Sequence, residues 1–198
     1  VAVECAAADG AICYVLHAAV ECTAADLARF ATMGNVFSKS ILGIESPRVG
    51  LMSVGRESHK GNELTREAYA LIEKLPLDFV GNLEGSDLVS GYADVIVADG
   101  FSGNILLKNA EAIGKKALEI VTELGAEENS EILERIKTKL FETFDFNSRG
   151  AATFLGTKKA VLKMHGSANE DTVVASIEQL IRIESAGFSS AMREAMQA

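Results

Sequence analysis

Apolar runs alternate along the chain with stretches whose apolar residues recur every three to four positions, and turn residues mark the changes of period. That alternation predicts an α/β fold, a mostly parallel sheet flanked by helices. Ala11 to Leu16 reads as a buried strand, followed by a helix from about Ala24 to Leu42 that ends at Gly43. Beyond Pro47 come a strand over Arg48 to Val54 and a loop from Gly55. Asn62 caps a helix with the stripe Leu64, Ala68, Leu71 and Leu75, which Pro76 stops. Phe79 to Leu83 is a further strand. Asp94 to Ala98 is apolar on both faces, as a central parallel strand covered by helices requires. The loop Asp99 to Asn104 then opens a helix presenting Leu106, Ala110, Ile113, Ala117 and Leu124 and closed by Gly125. A more charged helix from about Ser130 to Phe144, with Ile132, Ile136, Leu140 and Phe144, is expected to be partly exposed. Lys159 to Met164 forms a last strand, Asn169 caps a helix through about Glu184, and Gly187 precedes a short amphipathic tail. No composition break marks a linker, so residues 1–198 are expected to form a single domain.

Composition narrows the function classes. Of the 198 residues 48% are hydrophobic and 24% charged, with only 2 Pro, so the chain can bury a sizeable core. Lys and Arg number 19 against 28 Asp and Glu; a net charge of -9 repels a phosphate backbone and argues against nucleic acid. The uncharged run Gly10 to Val20 is too short to span a bilayer, and Glu4 and Asp9 argue against a signal peptide, so a cytoplasmic location is expected. Cys5, Cys13 and Cys22 fit neither a metal knuckle nor a disulfide framework and read as reduced thiols.

The candidate chemistry lies in three strand-to-helix loops, where backbone N–H groups and helix dipoles favour anions. The first, Gly55 to Asn62, carries His59, Lys60, Gly61 and Asn62; its Lys-Gly order is not that of a P-loop, and a solvated turn is the competing reading. The second, Asp99-Gly100-Phe101-Ser102-Gly103-Asn104, offers close backbone approach and neutral donors, although Asn104 could be a plain helix cap. The third, Lys163-Met164-His165-Gly166-Ser167, ends a strand with a cation and an imidazole, and His165 could equally be structural. If the sheet is parallel, all three loops project to one edge and form a cluster suited to an oxyanion or phosphate. Neither GxSxG nor GxGxxG nor a metal-ligand spacing occurs, so no cofactor or metal is expected.

Several blocks occur in order: Pro47-Arg48-Val49-Gly50-Leu51, Lys60-Gly61-Asn62-Glu63-Leu64, Phe79-Val80-Gly81-Asn82 with Glu84-Gly85, Ala93-Asp94-Val95, Asp99 to Asn104 with Leu107-Lys108, and Lys163 to Ser167. Over residues 22–179 the sequence resembles the bacterial phosphate acyltransferase family, the fatty acid/phospholipid synthesis protein PlsX. The resemblance implies transfer of a long-chain acyl group from acyl carrier protein to inorganic phosphate, in a homodimer with an isocitrate/isopropylmalate dehydrogenase-like architecture. It also implies a location in the cytoplasm or peripherally at the membrane. Phosphate is then the nucleophile, which removes the need for a catalytic Ser or Cys. On this reading Lys60, Asn104, His165 and Lys163 are catalytic, and Gly61, Asn62, Asp99, Gly100, Ser102 and Gly103 bind phosphate and thioester. The stretch from Glu131 to His165 has seven basic against four acidic residues and is the expected carrier-docking or membrane-facing surface, or else an ordinary solvated helix. Family members are longer and begin with an Asp-Ala-Met-Gly-Gly-Asp motif that is absent here, so the chain is expected to lack the usual N-terminal part, and residues 1–21 are atypical. Alternative readings are a catalytically silent homologue that dimerises or binds acyl carrier protein, and a phosphate acetyl- or butyryltransferase that uses acyl-CoA.

Overall fold

The computed structural model describes residues 3–8 and 12–17 as backbone, and residues 21–125, 130–144, 151–164 and 168–197 with side chains except that of Glu142. The first strands are β1 (Val3–Ala8) and β2 (Ile12–His17), followed by α1 (Ala24–Ser40) and β3 (Arg48–Met52). Next come α2 (Glu63–Ile72), β4 (Asp78–Leu83), a 3-10 helix (Gly85–Val89), β5 (Val95–Ala98) and α3 (Gly100–Leu124). The chain continues through α4 (Glu131–Phe144), β6 (Ala152–Leu155), β7 (Leu162–Lys163), α5 (Glu170–Ser185) and α6 (Phe188–Ala195). Among the described residues seven strands form one sheet in the order β4-β3-β5-β2-β1-β6-β7.

The half β4-β3-β5-β2 is parallel, as the alternation of strand and helix predicts. The other half is not. β1 runs antiparallel to both β2 and β6, and β7 antiparallel to β6, so β1 and β7 point against the remaining five strands. Neither β1 nor β6 was expected from the hydrophobic pattern, and β7 is only two residues of the strand expected over Lys159 to Met164.

Helices cover both faces of the parallel half. On β5, Val95 and Val97 join Val49 and Leu51 in a core with Leu27, Phe30, Phe37, Ala68, Ile72 and Ile183, under α1, α2, α5 and α6. Ile96 turns the other way, against Leu83, Leu88 and Ala110, under α3 and the 3-10 helix. Each of the buried Val, Leu, Ile and Phe side chains contributes about 1.5–3 kcal/mol, which explains why all four β5 residues are apolar. Phe37 and Phe188 meet edge to face at 5.6 Å and fix α6 on α1.

Two helical stripes differ from expectation. α2 buries Thr65, Ala68 and Ile72 while Leu71 is exposed. The buried line of α3 is Gly103, Ala110 and Gly114, with Ile113 and Leu124 exposed. Small residues let α3 lie close to its neighbours, so the large side chains turn outward.

Candidate functional site

Parallel strands direct their following loops to one rim, and here that rim lies above β4, β3, β5 and β2. The loop from β3 occupies its middle. Ser53 N–H donates to the Leu83 carbonyl at 2.8 Å, and Lys60 N–H folds back to the Glu57 carbonyl at 2.9 Å. Glu57, Ser58, His59 and Lys60 are exposed. Gly61 takes φ +104°, after which Asn62 caps α2. The Asn62 side chain accepts from Thr65 N–H at 2.9 Å and its carbonyl from Arg66 N–H at 3.1 Å. The N–H groups of Glu63 and Leu64 remain as the first-turn donors without an intrahelical acceptor.

Two side chains that the sequence reading did not single out anchor this loop, one from the end of β4 and one from the 3-10 helix that follows it. Asn82, at 2% exposure, donates its Nδ2 to the Glu57 carbonyl at 2.9 Å. Asp87, also buried, pairs through Oδ1 with Arg56 Nη2, while its Oδ2 accepts from Glu84 N–H at 2.9 Å. Burial alone would raise the Asp87 pKa; the hydrogen bonds from Glu84 and Arg56 outweigh it and hold the carboxyl below its ordinary value. Arg56 also lies 5.0 Å over the Tyr92 ring. The sequence signal for Asn82 was a polar residue at the buried end of an otherwise apolar strand.

The second loop differs from expectation. Asp99 is the N-cap of α3, its Oδ1 accepting from Phe101 N–H at 3.0 Å and Ser102 N–H at 2.9 Å. Gly100, Ser102, Gly103 and Asn104 therefore form the first helical turn and not a free loop, and Asn104 is not the cap. Ser102 and Asn104 are exposed and Gly103 is buried. A carboxylate already satisfies two of the turn's N–H groups and would repel an anion placed on them.

A further junction reaches the same rim. Thr23 caps α1 in a capping box with Asp26, just after Cys22. Burial, reinforced by the Asp99 and Asp26 carboxylates, pushes the Cys22 thiol up to about 11. Cys22 is thus a neutral thiol at pH 7. Cys5 and Cys13 fall on β1 and β2, whose side chains are outside the described ones.

Convergence fails for Lys163, the residue that opens the third loop. Lys163 pairs with Ala152, the first residue of β6, and β6 runs with β2, so Lys163 lies at the end of the sheet opposite the rim that bears Lys60 and Asn104. The physical reason is the antiparallel β6–β7 ladder, where a parallel strand was expected. His165, Gly166 and Ser167 lie outside the described residues, as do Asp145 and Arg149 of the expected docking surface. Of that surface's cations, Lys137 pairs with Glu134 at 2.8 Å, and Arg135, Lys158 and Lys159 are exposed. Among the described residues no cluster of His, Cys, Asp or Glu could hold a metal, and no helix is long and apolar enough to cross a membrane.

Sequence comparison gives this rim a context. The family described as "Fatty acid synthesis protein", the PlsX family, matches residues 4–191, which takes in both halves of the sheet. The chain belongs to this family. The PlsX match begins within β1, ahead of the ordered blocks that start beyond Cys22. A phosphate acyltransferase of Acaryochloris marina is 42% identical over 164 residues, covering 80% of this chain and 48% of that one. The phosphate acyltransferase of Acidobacterium capsulatum is 37% identical over 174 residues (85% and 52%), and that of Bacillus cereus strain B4264 39% over 158 (77% and 48%). The chain spans about half the length of these relatives. A solved structure, EutD phosphotransacetylase from Staphylococcus aureus, aligns with 96% of this chain and 53% of its own at a TM-score of 0.47 and 16% identity, too slight a likeness to carry an argument.

Proposed function

We propose that the chain is a phosphate acyltransferase, moving a long-chain acyl group from acyl carrier protein to inorganic phosphate. The observation that carries this reading is the adjacency of the β3–α2 and β5–α3 junctions on one parallel rim, in a member of the PlsX family. A phosphate oxygen attacks the thioester carbonyl; a C–O bond forms, the C–S bond breaks, and the carrier thiolate leaves with the electron pair and takes up the proton that phosphate gives up. Lys60, with the N–H groups of Glu63 and Leu64 beyond Gly61 and Asn62, would hold the phosphate charge. Ser102 and Asn104, in the same first turn of α3 as Gly100 and Gly103, would donate to the thioester oxygen as charge develops. Asp99 takes the supporting part of fixing that turn. Lys163 lies at the opposite end of the sheet and takes no step at this rim, while a supporting role for His165 and a homodimer are kept in the proposal on the family likeness. Dehydrogenase-like architecture, carrier docking on the basic α4 to β7 stretch and peripheral membrane contact belong to the same reading.

The test is incubation of the purified chain with long-chain acyl carrier protein and phosphate, trapping acyl phosphate with hydroxylamine. Phosphate-dependent hydroxamate supports the reading. Carrier binding with no product would leave a silent homologue, and activity with short acyl-CoA alone would replace it by an acetyl- or butyryltransferase.

A further inference from the structure

We propose that Asn82 is a positioning residue for the phosphate-holding loop, fixing the Glu57 carbonyl from which the turn at Lys60 hangs. The proposal rests on the reading of that loop as the anion cradle. Asn82 is the penultimate residue of β4 and only 2% exposed, a place where an apolar side chain would pack at no desolvation cost. Its side-chain Nδ2 bond leaves the strand altogether and reaches a main-chain carbonyl 25 residues earlier. Because the partner is a carbonyl, the atom facing it must be the amide NH2. The other end of the amide, Oδ1, is buried and has no partner, so the bond to Glu57 is what orients the side chain.

The same Glu57 oxygen accepts from Lys60 N–H at 2.9 Å, as Asn82 does. One atom therefore ties the buried strand to the exposed cation. The neighbouring residue is held too, Arg56 by Asp87, so the loop is clamped at two consecutive positions, from the end of β4 and from the 3-10 helix after it. Between these anchors and Gly61, the residues Glu57 to Lys60 are all exposed and have little packing of their own to define their course. Without Asn82 the Glu57 carbonyl is free to rotate, and Lys60 with it, while the sheet below keeps its apolar contacts.

Steady-state kinetics with varied phosphate, on the 198-residue chain, separate this role from plain stability. Asn82→Ala should raise the phosphate KM roughly tenfold, the loss expected of one oriented hydrogen bond, with kcat and the carrier KM changed less than about twofold. Leu83→Val, at the next and fully buried residue, should lower the melting temperature comparably and leave the phosphate KM alone. Asn82→Asp keeps the shape but loses the donor, and should match or exceed the alanine variant. An unmoved phosphate KM in Asn82→Ala, or an equal rise in Leu83→Val, overturns the proposal. Should the unaltered chain make no acyl phosphate, it is the catalytic reading that fails. Amide exchange at Lys60 then decides on Asn82: faster exchange in Asn82→Ala but not in Leu83→Val supports the positioning role, and equal rates sink it.

Discussion

At Gly61 the main chain adopts φ +104°, and a Cβ there would run into Thr65 Oγ1 and Ser53 Oγ. Both facts demand glycine at the hinge between Lys60 and the α2 cap. Gly61→Ala should therefore cost about 2 kcal/mol in urea denaturation and displace the turn that carries Lys60, with phosphate turnover falling further than stability does. A result within about 0.5 kcal/mol of the unaltered chain would show that the turn relaxes freely. Lys60 itself is exposed, so Lys60→Ala separates the two effects. Its melting curve should coincide with that of the unaltered chain, while the phosphate KM rises roughly 10- to 100-fold as the ammonium that holds the phosphate charge is lost. Lys60, Gly61 and Asn62 were legible in the sequence because Lys-Gly-Asn at a strand-to-helix junction announces a turn and a cap. For Asn82 only the polar position was legible; its partner is a backbone carbonyl distant in sequence, and no local pattern encodes such a bond.

Elements show where periodicity informs and where it misleads. The caps were readable: Asn62, Asn169 and the Gly125 end of α3 stand where side-chain chemistry puts them. The buried face of α3 was not, because the apolar stripe was assigned to its largest residues whereas the contact runs through its smallest. A Cβ on Gly114 would collide with the Phe144 side chain, so α3 and α4 touch at that point. Gly114→Ala sets two effects against each other. Helix propensity favours alanine by about 1 kcal/mol, while overpacking costs about 1–3 kcal/mol. The clash should win at the hairpin: amide exchange in α4 should accelerate while that of β3 and β5 stays unchanged. Strand direction was the other blind spot. A two-residue β7 has no hydrophobic signature of its own, and its pairing with β6 is set by a tertiary ladder, so the sequence could not reveal that Lys163 faces away from Lys60.

For the molecule as a whole, charge and packing make opposing demands as pH falls. The net charge of -9 means that protonating exposed carboxylates first relieves repulsion, a small and salt-screened gain between about pH 7 and 5. Below that range the paired aspartates decide. Asp94 accepts from Arg48 Nη2 at 2.8 Å, from its Nε at 2.9 Å and from its backbone N–H at 2.8 Å. The Arg48 side-chain bonds exceed the opposing effect of burial and, with the backbone bond, hold the Asp94 carboxyl below the ordinary aspartate value of about 3.9. Asp87 and Asp26 are lowered as well. A carboxyl that is more acidic when folded than when unfolded binds fewer protons in the native state, so acid favours unfolding. The stability these groups contribute is complete above about pH 5 and is lost as pH drops through 3.9 towards the lowered folded values. Urea midpoints should accordingly be level or slightly rising from pH 7 to 5 and then fall steeply. Asp94→Asn removes the ion pair at the lower ends of β3 and β5; because Arg48 is 42% exposed, the loss at pH 7 is about 1–2 kcal/mol, less than for a fully buried pair. The variant should begin lower at neutral pH and lose less below pH 4, the two curves converging in acid. Parallel curves with a constant offset would mean that Asp94 takes no part in the acid transition and that its bonds to Arg48 matter only for shape.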